Sequence, residues 1–176
     1  YVLHNGAGPA LGQVFAQNNT GVFTLQSGMN LGETYYVSLV AGNPLGTFPD
    51  PLDPCFSVAA GQPVVWLENP TPDAGADDAV CGETITLPGT ISGFNGIWTQ
   101  IAGPGSSSFV TDSDPTTIVN VSLNGSYTFQ WTETNGACTG DDAVTIDFNQ
   151  SPTLTGLNEV CNGTNTQYVV SFTPSG

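Results

Sequence analysis

The sequence predicts an all-β protein made of tandem β-sandwiches, and three observations support that fold class. Short runs of β-branched and aromatic residues alternate with polar residues, which is the period-two pattern of strands that bury one face. Glycine and proline, with 22 and 13 copies, divide these runs into short strands joined by turns. Helical periodicity is almost absent. Apolar residues make up 39% of the chain and include three Trp, which is enough material for folded cores.

The charge composition excludes several classes of function. The 176 residues include no Lys or Arg, 15 acidic residues and one histidine, His4, which gives a net charge of −15. Without basic side chains we expect no nucleic-acid partner, no direct membrane contact and no bidentate phosphate clamp. The charge suits a soluble extracellular protein. Because there is no signal peptide and no long apolar run, we expect a segment of a longer mature protein.

Residues 69–149 hold the clearest series of strands and are predicted to form one complete immunoglobulin-like sandwich. The predicted strands contain Ile85 and Leu87; Ile97 to Ile101; Thr117, Val119 and Val121; Tyr127, Phe129 and Trp131; and Val144, Ile146 and Phe148. Predicted turns are Pro88-Gly89, Asn95-Gly96 and Asn135-Gly136. About seven strands in about 80 residues fit one such domain.

Two tyrosines follow glycine turns at the same spacing. Leu123-Asn124-Gly125-Ser126-Tyr127 and Leu31-Gly32-Glu33-Thr34-Tyr35 both place a tyrosine just inside a strand. This is the pattern of a tyrosine corner, in which the hydroxyl bonds to backbone upstream. Ordinary core tyrosines after turns are the alternative.

The flanking segments contain too few strands for whole sandwiches. Residues 1–68 hold about five strand-like runs and are predicted to be the C-terminal part of an immunoglobulin-like domain. These runs are Tyr1-Val2-Leu3, Val14-Phe15-Ala16, Val22 to Leu25, Tyr35 to Val40 and Val64 to Leu67. Residues 150–176 hold one clear run, Gln167 to Phe172, and are predicted to be the N-terminal strands of a further domain. Either a neighbouring repeat or an identical protomer in a fibre would complete each part, since free half-sandwiches expose unpaired edges.

Four cysteines fit this organisation. We expect an intradomain disulfide between Cys81 and Cys138, although in a standard sandwich their strand positions can lie at opposite ends, so the chain would have to bend. Cys55 and Cys161 are each expected to be paired in a completed neighbouring domain. Zinc is the alternative, but no C-x-x-C spacing occurs. Disulfides indicate an oxidising, extracellular compartment.

Candidate sites for chemistry are few. His4 is the only side chain that titrates near neutral pH, and we interpret it as a surface or turn histidine rather than as part of a Ser-His-Asp site. Structural calcium is the one candidate cofactor, because hard cations bind clustered carboxylates. Its predicted ligands are the acidic residues where the central domain begins and where its last strand starts: Asp73, Asp77, Asp78, Asp141 and Asp142. Solvated acidic turns are the alternative.

The three tryptophans raise the possibility of sugar binding through ring stacking. Trp98 and Trp131 lie on predicted strands where sandwiches usually bury Trp, so we favour core packing for both. Trp66 lies near a predicted domain junction, where we expect it to pack. Exposure of Trp66 is the alternative, and it would make this residue the candidate for a surface-glycan contact.

Several motifs together resemble the PKD-like, immunoglobulin-like repeats of giant surface adhesins of Bacteroidota, which are secreted by the type IX system and associated with gliding motility. The central motifs are Asp73-Ala74-Gly75, Ala79-Val80-Cys81-Gly82, Gly96-Ile97-Trp98-Thr99, Tyr127 to Thr132, Asn135-Gly136-Ala137-Cys138 and Asp142 to Ile146. The outer motifs are Tyr35 to Ser38, Asp53-Pro54-Cys55, Gly61 to Val64, Cys161 to Thr166 and Val169 to Phe172. The chain departs from true PKD domains after Trp98, where Thr99-Gln100-Ile101 replaces their usual Trp-Asp-Phe-Gly-Asp-Gly run.

The resemblance implies a spacer or adhesive repeat without catalysis. We therefore expect a non-enzymatic segment of a long extracellular stalk or filament at the cell surface, with neighbouring repeats or identical protomers as partners. A carbohydrate-binding module of a secreted enzyme is the alternative.

Overall fold

The computed structural model describes residues 1–8, 10–161 and 168–175, and it is all-β, as predicted. The described strands, in chain order, are β1 (Val2–His4), β2 (Val14–Gln17), β3 (Thr34–Ser38), β4 (Val40–Ala41), β5 (Pro44–Leu45), β6 (Phe48–Pro49), β7 (Ser57–Val58), β8 (Gln62–Val65), β9 (Asp78–Cys81), β10 (Thr84–Thr86), β11 (Asn95–Ala102), β12 (Ser107–Phe109), β13 (Ile118–Val121), β14 (Gly125–Asn135), β15 (Cys138–Asn149), β16 (Thr153–Cys161) and β17 (Tyr168–Ser175). The chain divides into two compact units, Tyr1–Glu68 (unit 1) and Asn69–Gly176 (unit 2).

Unit 1 is organised around one antiparallel sheet with strand order β2-β1-β3-β8. Leu3 and Tyr35 lie on the same sheet face and are buried, together with Met29 from the segment between β2 and β3. Partly buried apolar side chains surround them: Phe15, Ala16, Phe23, Val37, Val64 and Trp66. Residues 1–68 therefore close a small core of their own. The idea that they belong to a larger sandwich stays a prediction.

The other face of this sheet carries Val2, His4 and Ser38, all buried. Two small ribbons, β4-β7 and β5-β6, follow β3 in the chain. Between this region and the sheet lies an apolar cleft of about 160 Å³, lined by Val2, Leu11, Val14, Gln17, Val40, Pro49, Pro51 and Phe56.

Unit 2 contains two sheets with a common core. One has the order β11-β14-β15-β9 and the other β10-β13-β12. The buried core comprises Ala74, Leu87, Trp98, Val119, Val121, Tyr127, Phe129, Trp131, Val144, Ile146 and Phe148. Between residues 69 and 149 the structure describes the strands β9 to β15, in agreement with the expected seven. The inward positions of β13, β14 and β15 are the alternating apolar residues predicted from the sequence.

The tyrosine corner predicted at Tyr127 is confirmed, because its hydroxyl donates a 3.0 Å hydrogen bond to the carbonyl oxygen of Leu123. Tyr35 makes a related contact in unit 1, where its hydroxyl accepts a 2.7 Å hydrogen bond from the backbone N–H of Asn30. Both hydroxyls thus satisfy backbone groups upstream in the chain, and both rings are buried.

The last two described strands, β16 and β17, pair as an antiparallel two-stranded sheet in unit 2. The predicted run from Gln167 to Phe172 corresponds to β17, except for Gln167, which lies outside the described residues. Within the described ranges, the structure contains no helix long and apolar enough to cross a membrane.

Two local predictions are wrong. Val22 to Leu25 forms no strand; Phe23 packs into the core of unit 1 while Val22 is 75% exposed. Asn95-Gly96 is not a turn but the start of β11, paired with Thr134 and Glu133. The indole of Trp131 lies so close to Gly96 that a Cβ there would be 2.3 Å from a ring carbon. Glycine is needed at this strand position for a close approach, not for turning.

Candidate functional site

The acidic residues predicted to bind calcium lie beside β15, but the structure spaces them along the strand. The segment before β9 runs next to β15, as the calcium hypothesis required. The backbone N–H of Ala74 donates a 2.9 Å hydrogen bond to Asp142 Oδ2. The backbone N–H of Thr145 donates one of 2.7 Å to Asp77 Oδ1. These carboxylates join the two chain segments directly.

The remaining three candidate ligands also accept hydrogen bonds from the protein. Asp73 Oδ1 accepts from the N–H of Gly75 at 2.8 Å, and Asp78 Oδ1 accepts from the N–H of Ala79 at 2.7 Å. Asp141 Oδ2 accepts from Gln130 Nε2 at 2.7 Å. Among the described residues, no group of three or more His, Cys, Asp or Glu is arranged to hold a metal ion.

Structural calcium therefore stays a prediction. The geometry gives these carboxylates another role, as hydrogen-bond acceptors for backbone N–H groups and, at Asp141, for the side-chain amide of Gln130. The two roles make different predictions for thermal unfolding. A bound calcium ion would raise the unfolding temperature in millimolar calcium, reversed by a chelator. Carboxylates that only cap backbone N–H groups would leave it unchanged.

Glu133 is a buried acid that the sequence interpretation overlooked. It lies on β14 and is 0% exposed. Ser92 donates to its carboxylate through both its backbone N–H, at 3.0 Å, and its hydroxyl. The indole Nε1–H of Trp131 donates to Oε1 at 2.9 Å. The carboxylate thereby ties the connection before β11 to the inner face of the sheet.

The donors around Glu133 outweigh the cost of burying a charge. Burial alone would raise the pKa of this carboxyl. Hydrogen bonds from the Ser92 hydroxyl, the Trp131 indole and the backbone of Ser92 and Phe94 act in the opposite direction, and the net effect lowers the pKa of Glu133 below its ordinary value. The group is therefore held as a carboxylate inside unit 2. The burial of Glu133 could have been predicted from the sequence, because it continues the period-two series of inward-facing residues Tyr127, Phe129 and Trp131.

The interpretation of His4 as a surface or turn residue is wrong. His4 ends β1 and is 0% exposed, and its Nε2 lies 2.8 Å from the hydroxyl of Ser38, which is also buried. Burial lowers the pKa of His4, against a weaker opposing effect from backbone groups of Leu11 and Gly6. Nδ1 makes no hydrogen bond of ordinary geometry within the described part of the chain. The pair has the form of an internal contact that a substrate cannot reach.

The core positions predicted for two tryptophans are confirmed. Trp98 and Trp131 are 2% and 0% exposed, and their rings pack at 5.3 Å between centroids. Trp66, the candidate for glycan stacking, packs edge-on against Tyr35 at 6.2 Å in unit 1 and is half-buried.

The predicted bridge between Cys81 and Cys138 is not formed, and the strand register explains why. Both thiols are free, as is that of Cys55. Cys138 is the first residue of β15, whereas Cys81 pairs with Asn149, the last residue of the same strand. At about 3.3 Å per residue the eleven intervening steps separate the two cysteines by about 36 Å. A disulfide needs Cα atoms closer than about 7 Å. The side chain of Cys161 lies outside the described part of the structure.

The chain matches no protein-family model and no curated protein.

Proposed function

We propose that this chain is a non-enzymatic segment of a long extracellular stalk or filament at a cell surface, built from immunoglobulin-like β-sandwich repeats. Its partners would be neighbouring repeats of the same chain or identical protomers. Its work would be mechanical, to hold a distance and to transmit tension. The acidic, lysine- and arginine-free composition supports this role, because like-charged fibres repel one another in solution.

The observation that carries the proposal is where the chain enters and leaves the paired sheets of unit 2. On entry, the carbonyl oxygen of Pro70 lies against Gly140, near the start of β15. On exit, the chain leaves from Asn149, at the other end of that strand. The nine steps between Gly140 and Asn149 correspond to about 30 Å. A domain that accepts the chain at one end and releases it at the other suits a spacer in a linear array.

Two further features favour the immunoglobulin-like class. Seven described strands between residues 69 and 149 form two sheets over a common core, with a tyrosine corner at Tyr127.

The cysteines at the two ends of β15 have free thiols, so a disulfide within this domain does not account for them. In an array, Cys138 and Cys81 would be available for cross-links outside the core of this unit rather than within it.

Surface labelling tests the proposal. An antibody raised against the purified chain, detected by immunogold electron microscopy on intact source cells, should mark surface fibres without permeabilisation. Gold confined to the interior of permeabilised cells would contradict the proposal. A tag-specific antibody on an unrelated cytoplasmic protein serves as the control for leakage.

The rival function, a carbohydrate-binding module, predicts binding on a glycan array that Trp66→Ala abolishes. Trp66→Phe is the matched control, because it keeps an aromatic ring against Tyr35. Glycan binding lost only in the alanine variant would favour the rival over the stalk.

A further inference from the structure

The segment that leads into unit 2 runs parallel to β15 in one continuous register. We call residues 69–81 the entry segment. In the β9–β15 ladder, Asp78 pairs with Ile146 and Cys81 with Asn149, a sequence separation of 68 throughout. The side-chain hydrogen bonds upstream keep that same separation of 68, joining Ala74 to Asp142 and Asp77 to Thr145. Residues 74–81 therefore lie alongside residues 142–149 without a slip.

In the part of the entry segment that precedes β9, the hydrogen bonds to β15 use side-chain carboxylates as acceptors instead of backbone carbonyl oxygens. Asp142 accepts from the N–H of Ala74 at 2.9 Å, and Asp77 accepts from the N–H of Thr145 at 2.7 Å. The pairing with β15 also continues after the last residue of β9, because the N–H of Gly82 donates to the carbonyl oxygen of Asn149 at 2.8 Å. The hydrogen bonds thus extend beyond the four paired residues of β9 at both ends.

The entry segment is also held from the core side. Ala74 is 0% exposed within the hydrophobic core, and Val80 packs against that core. Asp73 exchanges two backbone hydrogen bonds with Thr90, at 2.8 and 3.3 Å. Separation of the entry segment from β15 would expose this apolar contact to water.

Tension applied through the flanking chain would load this pairing in shear. The pull on the entry segment acts toward its N-terminal end, and the pull on β15 acts toward its C-terminal end. Because the two segments are parallel, these forces point in opposite directions along the strands. The hydrogen bonds between the two segments then resist the force together. Strands that are pulled apart from one end instead lose their hydrogen bonds one after another.

We propose that the pairing of residues 74–81 with residues 142–149 is the part of unit 2 that resists tension, and we call it the clamp. Asp77 and Asp142 contribute additional hydrogen bonds to it. The inference rests on the proposed function, since only a chain under tension uses such a clamp. Its consequence is a domain that resists pulling along the chain more strongly than its thermal stability alone would indicate.

Single-molecule force spectroscopy on the full chain, held by handles at its two termini, tests the clamp. At constant force, the unfolding step of unit 2 is recognised by its greater released length. The double variant Asp77→Ala/Asp142→Ala should unfold faster, by about tenfold for each charge-assisted hydrogen bond lost. Asp77→Asn/Asp142→Asn keeps acceptor oxygens and should recover part of the difference.

The matched control is Asp112→Ala/Asp114→Ala, which removes the same charge from the connection between β12 and β13. Asp114 there caps the N–H of Thr116 at 2.9 Å, away from β15. This control should lower thermal stability without changing the unfolding rate under force. Equal acceleration in both double variants, or none in either, would overturn the clamp.

A second pulling direction tests the shear geometry without depending on the variants. Handles attached at Asn124 and Gln150 would open the β14–β15 hairpin from the end where Gly125 pairs with Phe148. Unit 2 should unfold much faster in that direction at the same force. Equal rates in both directions would refute the proposal. A directional result together with failed surface labelling would retain the clamp and reject the stalk.

Discussion

At the scale of single residues, unit 2 depends on a buried carboxylate that no basic residue neutralises. Isolated buried charges are expensive, and proteins usually pair them with Lys or Arg. This chain has neither, so Glu133 is stabilised by neutral donors alone, namely Ser92, Trp131 and backbone N–H groups. The consequence is that the carboxylate cannot be replaced by its amide without turning an acceptor into a donor.

The first prediction concerns Glu133→Gln. The amide NH₂ would face existing donors, so we expect the free energy of unfolding of unit 2 to fall by about 2 kcal/mol. Chemical denaturation followed by tryptophan fluorescence measures it. Glu83→Gln, at an exposed position, is the control and should leave stability nearly unchanged. An equally small effect at both positions would contradict the assigned role of Glu133.

The second prediction concerns His4, whose pKa is lowered from its ordinary value of 6.5 by burial. Because His4 is the only histidine, its imidazole protons are unambiguous in an NMR titration of the folded chain. We expect a midpoint below 6.5. A midpoint at or above that value would mean that the ring is solvated or bonded to an acid.

At the scale of secondary-structure elements, strand register determines which residues become neighbours, and the spacing of residues in the sequence does not specify it. Cys81 and Cys138 fall within one domain, but β9 is parallel to β15 and meets its far end, so the thiols are separated by the length of the strand. In the same way, Asn95-Gly96 has turn-forming residues but lies in β11 because the Trp131 indole occupies the space of a side chain.

The third prediction follows for the thiols. After mild oxidation of the full chain at low concentration, peptide mapping of the monomeric fraction should find no Cys81–Cys138 linked peptide, since β15 holds the two cysteines of one molecule apart. Digestion requires an acid- or aromatic-specific protease, because trypsin has no cleavage site in this chain. The same mapping after oxidation in denaturant is the control. A Cys81–Cys138 peptide from the native protein alone would refute the register.

At the scale of the whole molecule, the two units carry different buried titratable groups. The folded pKa of His4 in unit 1 is lowered, so the unfolded form takes up a proton first as pH falls. Its stabilisation is complete above about pH 6.5 and declines below it. The folded pKa of Glu133 in unit 2 is also lowered, from 4.5, so its contribution is present above that value and is lost as pH falls through the folded pKa.

The fourth prediction is therefore that unit 1 is destabilised before unit 2 as the pH is lowered. Between pH 6.5 and 4.5 unit 1 should lose stability while unit 2 keeps it. Trp66 reports on unit 1, whereas Trp98 and Trp131 report on unit 2, so thermal unfolding of the chain and of Trp66→Phe separates the two signals. Loss of unit 2 first on acidification would contradict the assignment of these groups.

The sequence by itself determined the all-β class, the alternating core of β13 to β15, the tyrosine corner at Tyr127 and the burial of two tryptophans. These follow from local periodicity, because a strand exposes every second residue to the same environment. Only the tertiary structure decided the burial of His4, the distance between Cys81 and Cys138, and the pairing of the entry segment with β15. Those depend on which strands become neighbours and in which direction they run, and residues 68 positions apart carry no local pattern that specifies it.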